Sequence, residues 1–187
     1  MKSCNQNGFT LVELLVVILI AGLTTTWALP NFRKKQLQGQ VDRYSRLTES
    51  GLRNLRSRLR EDRLSHCICF ISNRWALPSS MGLERYQPDS GSSAPVISCD
   101  GGDASSDLRI MNLEGSAPSQ QVEVLSNQKQ FCISPPGTSA SPENLRLLFR
   151  SPKQSEYPDL LMRCIEMNGN GYLSRGDWNP MSATCST

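Results

Sequence analysis

The chain has 187 residues, 38% of them hydrophobic, with 20 Lys and Arg against 17 Asp and Glu, for a net charge of +3. That length fits one membrane helix plus one modest domain. Only one histidine is present, His66, so any Ser-His or Cys-His catalytic pair would have to use that residue. No Gly-x-Ser-x-Gly elbow, phosphate-binding glycine loop or metalloprotease helix occurs. Asp100, Asp103 and Asp107, around Gly101-Gly102, read as a turn rather than an acid/base pair.

The first element begins at Gly8-Phe9-Thr10-Leu11-Val12-Glu13 and stays apolar until Pro30. As a helix, Phe9 to Leu29 would be about 31 Å long, enough to cross a hydrocarbon core of about 30 Å. Glu13 is the only charge in it. A charged side chain at the centre of an inserted helix costs about 2.5–3.5 kcal/mol, so its presence demands a compensating interaction. The hydroxyls of Thr24, Thr25 and Thr26 can bond back to helix carbonyls, and Pro30 favours a kink. The rival reading is a plain secretory signal with Thr26-Trp27-Ala28 as a small-residue cleavage site. Against it, the apolar run is long, Lys2 is the only basic residue before it, and Glu13 interrupts it.

The ungapped stretch Gly8-Phe9-Thr10-Leu11-Val12-Glu13-Leu14-Leu15-Val16-Val17-Ile18 resembles the type IV pilin-like proteins: pilins, minor pilins and the pseudopilins of type II secretion. The resemblance implies a leader, residues 1–8, removed by a membrane-bound prepilin peptidase between Gly8 and Phe9, and methylation of the new Phe9 amine. It implies that Glu13 pairs with the Phe9 amine of a neighbouring subunit, a pairing strengthened in a low-dielectric layer. Other pilins or pseudopilins of the filament and an assembly platform in the cytoplasmic membrane are the implied partners. The implied location is the bacterial inner membrane, crossed once, with the rest of the chain outside the cytoplasm. Arg33, Lys34 and Lys35 follow the span, and the positive-inside rule alone would place them in the cytoplasm; the cysteines side with the family.

Past Pro30 the helical pattern continues over 30–65. Leu37, Val41, Tyr44, Leu47, Gly51, Leu55 and Leu59 recur at steps of three and four, which is one apolar stripe. From residue 66 the composition shifts to Pro, Gly, Ser and short β-prone runs: Cys67–Ser72, Val96–Cys99, Leu108–Leu113, Val122–Leu125, Gln130–Ile133, Leu145–Arg150 and Leu160–Met167. Turn-rich stretches Gln87–Pro95 and Ser134–Pro142 lie between them. A long helix followed by strands predicts an α+β fold, the helix packed on an antiparallel sheet formed by a β-rich head at 66–187.

Seven cysteines are present. Cleavage after Gly8 would discard Cys4 and leave Cys67, Cys69, Cys99, Cys132, Cys164 and Cys185, an even set that reads as disulfides in an exported chain. Cys67 and Cys69 would lie roughly 6–7 Å apart on one strand face, at or beyond the reach of a bridge. The resemblance implies a Cys164–Cys185 bridge, because many pilins close a C-terminal loop in this way. His66-Cys67-Ile68-Cys69 is too tightly spaced for a zinc site, and no metal or cofactor is expected.

Arg46, Arg53, Arg56, Arg60 and Arg63 fall near one helical face. They are candidates for contact with DNA phosphates, which some minor pilins make, or for a solvated or subunit-facing surface with Asp42–Arg46 and Glu49–Arg53 as i,i+4 pairs. The stretch Glu166–Asp177 loosely resembles a calcium loop, but Asn168–Gly171 between two β-prone runs reads better as a hairpin turn. The function expected is a structural filament subunit, not an enzyme; the alternative is a filament-displayed DNA receptor or adhesin. Mass spectrometry of the mature protein checks the processing: a polypeptide beginning at Phe9, with or without one added methyl, is expected.

Overall fold

In the computed structural model, which describes residues 10–63, 65–70, 73–78, 87–88, 121–139 and 143–186, the first element is helix α1, Leu11–Asp62. It begins two residues later than Phe9, at a cap. The Thr10 hydroxyl accepts the Glu13 N–H at 3.3 Å and the Thr10 carbonyl accepts the Leu14 N–H. The helix runs through Pro30, and the three threonine hydroxyls bond back to the carbonyls of Ala21 and Leu23 at 2.6–3.0 Å. It stops at Arg63, whose φ of 57° and N–H bond to the Leu59 carbonyl make a left-handed C-terminal cap.

The chain divides into two compact units, Met1–Gln36 and Leu37–Thr187. In the first, the apolar part of α1 is exposed among the described residues. Among the described residues the second unit holds nine strands: β1 His66–Cys69, β2 Gln87–Pro88, β3 Glu123–Ser126, β4 Gln130–Ser134, β5 Thr138–Ser139, β6 Leu145–Arg150, β7 Arg163–Met167, β8 Leu173–Asn179 and β9 Thr184–Ser186. The single sheet expected from the sequence is two, both antiparallel. One has the order β2-β1-β4-β5 and the other β3-β6-β7-β8-β9. The chain changes sheets between β3 and β4 at a corner fixed by side chains. The Ser126 hydroxyl bonds the Gln128 carbonyl, and the Asn127 amide oxygen and nitrogen reach the Arg146 N–H and the Asn144 carbonyl. β2 and β5 fall inside stretches that the composition marked as turns, and the Val96–Cys99 and Leu108–Leu113 runs lie outside the described residues.

The core lies between the second half of α1 and the sheets. Val41, Tyr44, Leu52, Leu55 and Leu59 from the helix meet Ile68, Phe131 and Ile133 from one sheet and Leu145, Leu147, Phe149, Ile165 and Met167 from the other. Each such side chain stabilises the fold by about 1.5–3 kcal/mol when fully buried. Tyr44 and Phe149 face each other with ring centroids 6.1 Å apart, within the range of a favourable tilted aromatic pair. Two disulfides brace the strands. Cys67 is bonded to Cys132, its opposite neighbour in the β1–β4 ladder. Cys164 of β7 is bonded to Cys185 of β9, and Gly176 of β8, opposite Cys164, carries no side chain. Truncation of Phe149, 0% exposed, to alanine should cost about 3–5 kcal/mol, measured by urea unfolding in detergent.

Candidate functional site

Two regions carry the candidate residues, and each belongs to one compact unit. In the first, the apolar face of α1 from Leu11 to Leu23 is exposed throughout: Leu11, Val12, Leu14, Leu15, Ile18, Leu19 and Leu23 are each more than half accessible. Among the described residues this is the one helix long and apolar enough to cross a membrane, with a mean hydropathy of 2.1 over its best 18-residue window. Glu13 stands in its first turn. The sequence treats Glu13 as a carboxylate stranded in oil; the structure adds that it is the third residue of a helix capped by Thr10. Thr10-Leu11-Val12-Glu13 is a Thr-x-x-Glu capping pattern, a signal readable in the sequence. A carboxylate is favoured near the N-terminal end of a helix, by about 0.3–1 kcal/mol at exposed sites. That offsets only part of the cost of placing it in hydrocarbon, so Glu13 still lacks a full counter-charge within the described residues. Gly8 and Phe9 lie outside the described residues.

The second region is the polar face of α1 in the larger unit. The arginines that the sequence places on one face have different fates. Arg53 is bonded to Glu49 at 2.7 Å, as the i,i+4 spacing predicts. Arg60 gives its Nε–H to the Pro136 carbonyl at 3.0 Å. Arg56 lies against the turns at Gly137 and Gly171. Arg46 lines a shallow surface cavity of about 410 Å³ with Gly39, Asp42, Arg43 and Leu47. Asp42 is not bonded to Arg46; its carboxylate takes the Nε–H of Arg163 at 2.6 Å and the amide of Gln38 at 3.0 Å. Arg163 also pairs with Asp177, and Arg175 reaches Glu49 at 2.8 Å. Arg163 and Arg175, which no sequence pattern singles out, therefore fasten β7 and β8 to the helix.

Burial pushes the Asp42 carboxyl up, but hydrogen bonds from Arg163 and Gln38 and the charges of Arg163 and Arg46 outweigh it and hold it below its ordinary value of 3.8. Glu49 behaves alike: burial raises it, and the bonds and charges of Arg53 and Arg175 bring it below 4.5. The calcium-loop reading does not fit this geometry. Glu166 and Asp177, its ends, are paired with Arg146 and Arg163. The loop itself is a tight turn between β7 and β8, with the Gly171 N–H on the Asn168 carbonyl and the Tyr172 N–H on the Asn168 side chain. No cluster of three or more metal-ligating side chains occurs among the described residues. The side chains of Cys69 and His66, and all of Cys99, lie outside the described residues.

Residues 3–29 match the family profile of the prokaryotic N-terminal methylation motif. No curated protein and no solved structure matches the chain significantly. Because both carboxyl groups titrate low in the folded state, their stabilisation is complete above their unfolded values and is lost as pH falls through the lowered folded ones. Thermal stability should therefore fall as pH drops below about 4. The double variant Asp42→Asn, Glu49→Gln should start less stable at pH 7 and lose less on acidification.

Proposed function

We propose that this chain, whose residues 3–29 carry the prepilin-type methylation motif, is a type IV pilin-like protein and within that family a minor pilin or pseudopilin, a structural subunit of a type IV pilus or a type II secretion pseudopilus. The motif implies processing by a prepilin peptidase and assembly with other pilins. The observation that supports the finer reading most is the juxtaposition in the first unit: an apolar helix exposed among the described residues and one carboxylate, Glu13, in its opening turn. Such a helix is stable in two surroundings, a bilayer and a bundle of like helices.

In this reading Gly8 and Phe9 form the cleavage junction, and the Phe9 amine of an incoming subunit neutralises Glu13 of its neighbour. An ion pair in a low-dielectric layer is costly to leave half-made, so it selects one stagger between subunits. Pro30 gives up one helix hydrogen bond and supplies the bend that lets the apolar half follow the filament axis. The subunit waits in the cytoplasmic membrane, crossed once with the disulfide-braced domain outside the cytoplasm, until an assembly platform extracts it. Its chemistry is done to it by the peptidase; the family is structural.

The alternative, a filament-displayed DNA receptor or adhesin using Arg53, Arg56, Arg60 and Arg63, has weaker support. A phosphate backbone is gripped by several free cations in series, whereas Arg53 is held by Glu49 and Arg60 by a turn carbonyl. The decisive experiment replaces one side chain. Glu13→Ala should leave the amount of processed protein in the membrane unchanged and reduce its incorporation into sheared filaments at least about tenfold, the equivalent of about 1.4 kcal/mol. Filaments of normal composition from that variant would overturn the proposal.

A further inference from the structure

Two turns from different sheets close over one arginine. The β4–β5 turn, Ser134-Pro135-Pro136-Gly137, is held by the Gly137 N–H on the Ser134 carbonyl at 2.7 Å, with a cis peptide between its prolines. The β7–β8 turn ends at Gly171. Both glycines have positive φ, 109° and 75°, and both are pressed against Arg56. A Cβ on Gly137 would lie 3.1 Å from the Arg56 Nε. One on Gly171 would lie 3.0 Å from its Nη2 and would collide with the Gly137 carbonyl oxygen. Two positions that only glycine suits therefore leave room for one guanidinium.

Among the described residues that guanidinium has no carboxylate within ion-pair distance. Its Nε is buried and has no acceptor. Burial pushes its pKa down, and the neighbouring charges of Arg60 and Arg53 add to the effect. The carboxylate about two helical turns back, Glu49, is already shared between Arg53 and Arg175. Arg60, anchored by its Nε–H to Pro136, adds a second cation on the same side. A buried donor without an acceptor costs about 1–3 kcal/mol, more when charged, so Arg56 is a cation with part of its hydrogen-bonding capacity unused among the described residues.

We propose that the notch formed by Arg56, Arg60 and the turns at Pro136–Gly137 and Gly171 is a receptor for a single oxyanion, a carboxylate or a phosphate group. A planar guanidinium held in place presents parallel N–H donors that suit two oxygens of one such group. The notch selects one anion rather than a polyanion, because Arg53, the next cation along the helix, is neutralised by Glu49. This site does not depend on filament assembly, so its test and that of Glu13 fail separately.

The test uses the full-length protein, nitrogen-15 labelled, in zwitterionic micelles at pH 7 and fixed ionic strength. It is titrated in separate arms with sodium phosphate and sodium acetate, and the arginine Nε–H resonances are followed. Saturable movement of the Arg56 resonance, without movement of Arg33, is expected; the arm with the tighter fit names the anion chemistry. Arg56→Lys keeps the charge and the stem but loses the fork, and should weaken binding about tenfold, the loss of one charge-assisted hydrogen bond. Linear shifts shared with Arg33 would overturn the proposal. So would binding of a short DNA duplex that displaces phosphate yet is indifferent to Arg56→Lys, because the ligand would then be an extended polyanion on another surface. If Arg56→Lys fails to fold, the wild-type titration alone decides.

Discussion

The seam between the second half of α1 and the two sheets sets everything else in the larger unit. Apolar burial drives it but does not fix its register, because leucines and phenylalanines attract without direction. The fixed points are polar. Asp42 and Glu49 stand seven residues apart on the helix, about 10.5 Å along its axis. Their partners, Arg163 and Arg175, lie on adjacent strands of one sheet, offset by two places in the ladder. Sliding the helix by one turn, about 5.4 Å, would break both pairs at once and leave four charges part-buried. Such pairs add little net stability over apolar packing, but half-broken ones are costly. They act here as registration marks for a greasy contact.

The same helix answers to the opposite constraint at its other end. From Leu11 to Leu23 it is apolar and exposed, with its hydroxyls turned back on its own carbonyls. Helical bonding that keeps polar groups within the segment is what a lipid environment demands. The segment leaves unsatisfied only its apolar surface and one carboxylate. Both needs can be met from outside the chain by a membrane and then by sister subunits.

The candidate residues differ in how visible they were beforehand. Glu13 was conspicuous because a charge inside an apolar run violates a simple rule. Thr10 was not, although Thr-x-x-Glu is itself a helix-start pattern, because a threonine is inconspicuous in sequence until its hydroxyl is seen on the Glu13 N–H. The apolar stripe from Val41 to Leu59 followed from its spacing alone. The arginine face was legible only as a face. Which of its members were neutralised depended on Glu49, on a turn carbonyl supplied from residue 136 and on glycines at 137 and 171, none of them close in sequence to the arginine it touches except Glu49.

The amino-acid order by itself determined the membrane-length helix, its lone acid, the continuation past Pro30, the strand-prone runs over 122–125, 130–133 and 145–150, and the hairpin turn at Asn168–Gly171. These are local features, set by periodicity and turn chemistry within a few residues. Only the tertiary structure decided that the strands form two sheets instead of one, that Cys67 joins Cys132, and that Arg56 lies between two turns. Those outcomes depend on which distant segments close on one another. Closure is governed by the shared burial of many side chains and by loop entropy, which no short window of sequence contains.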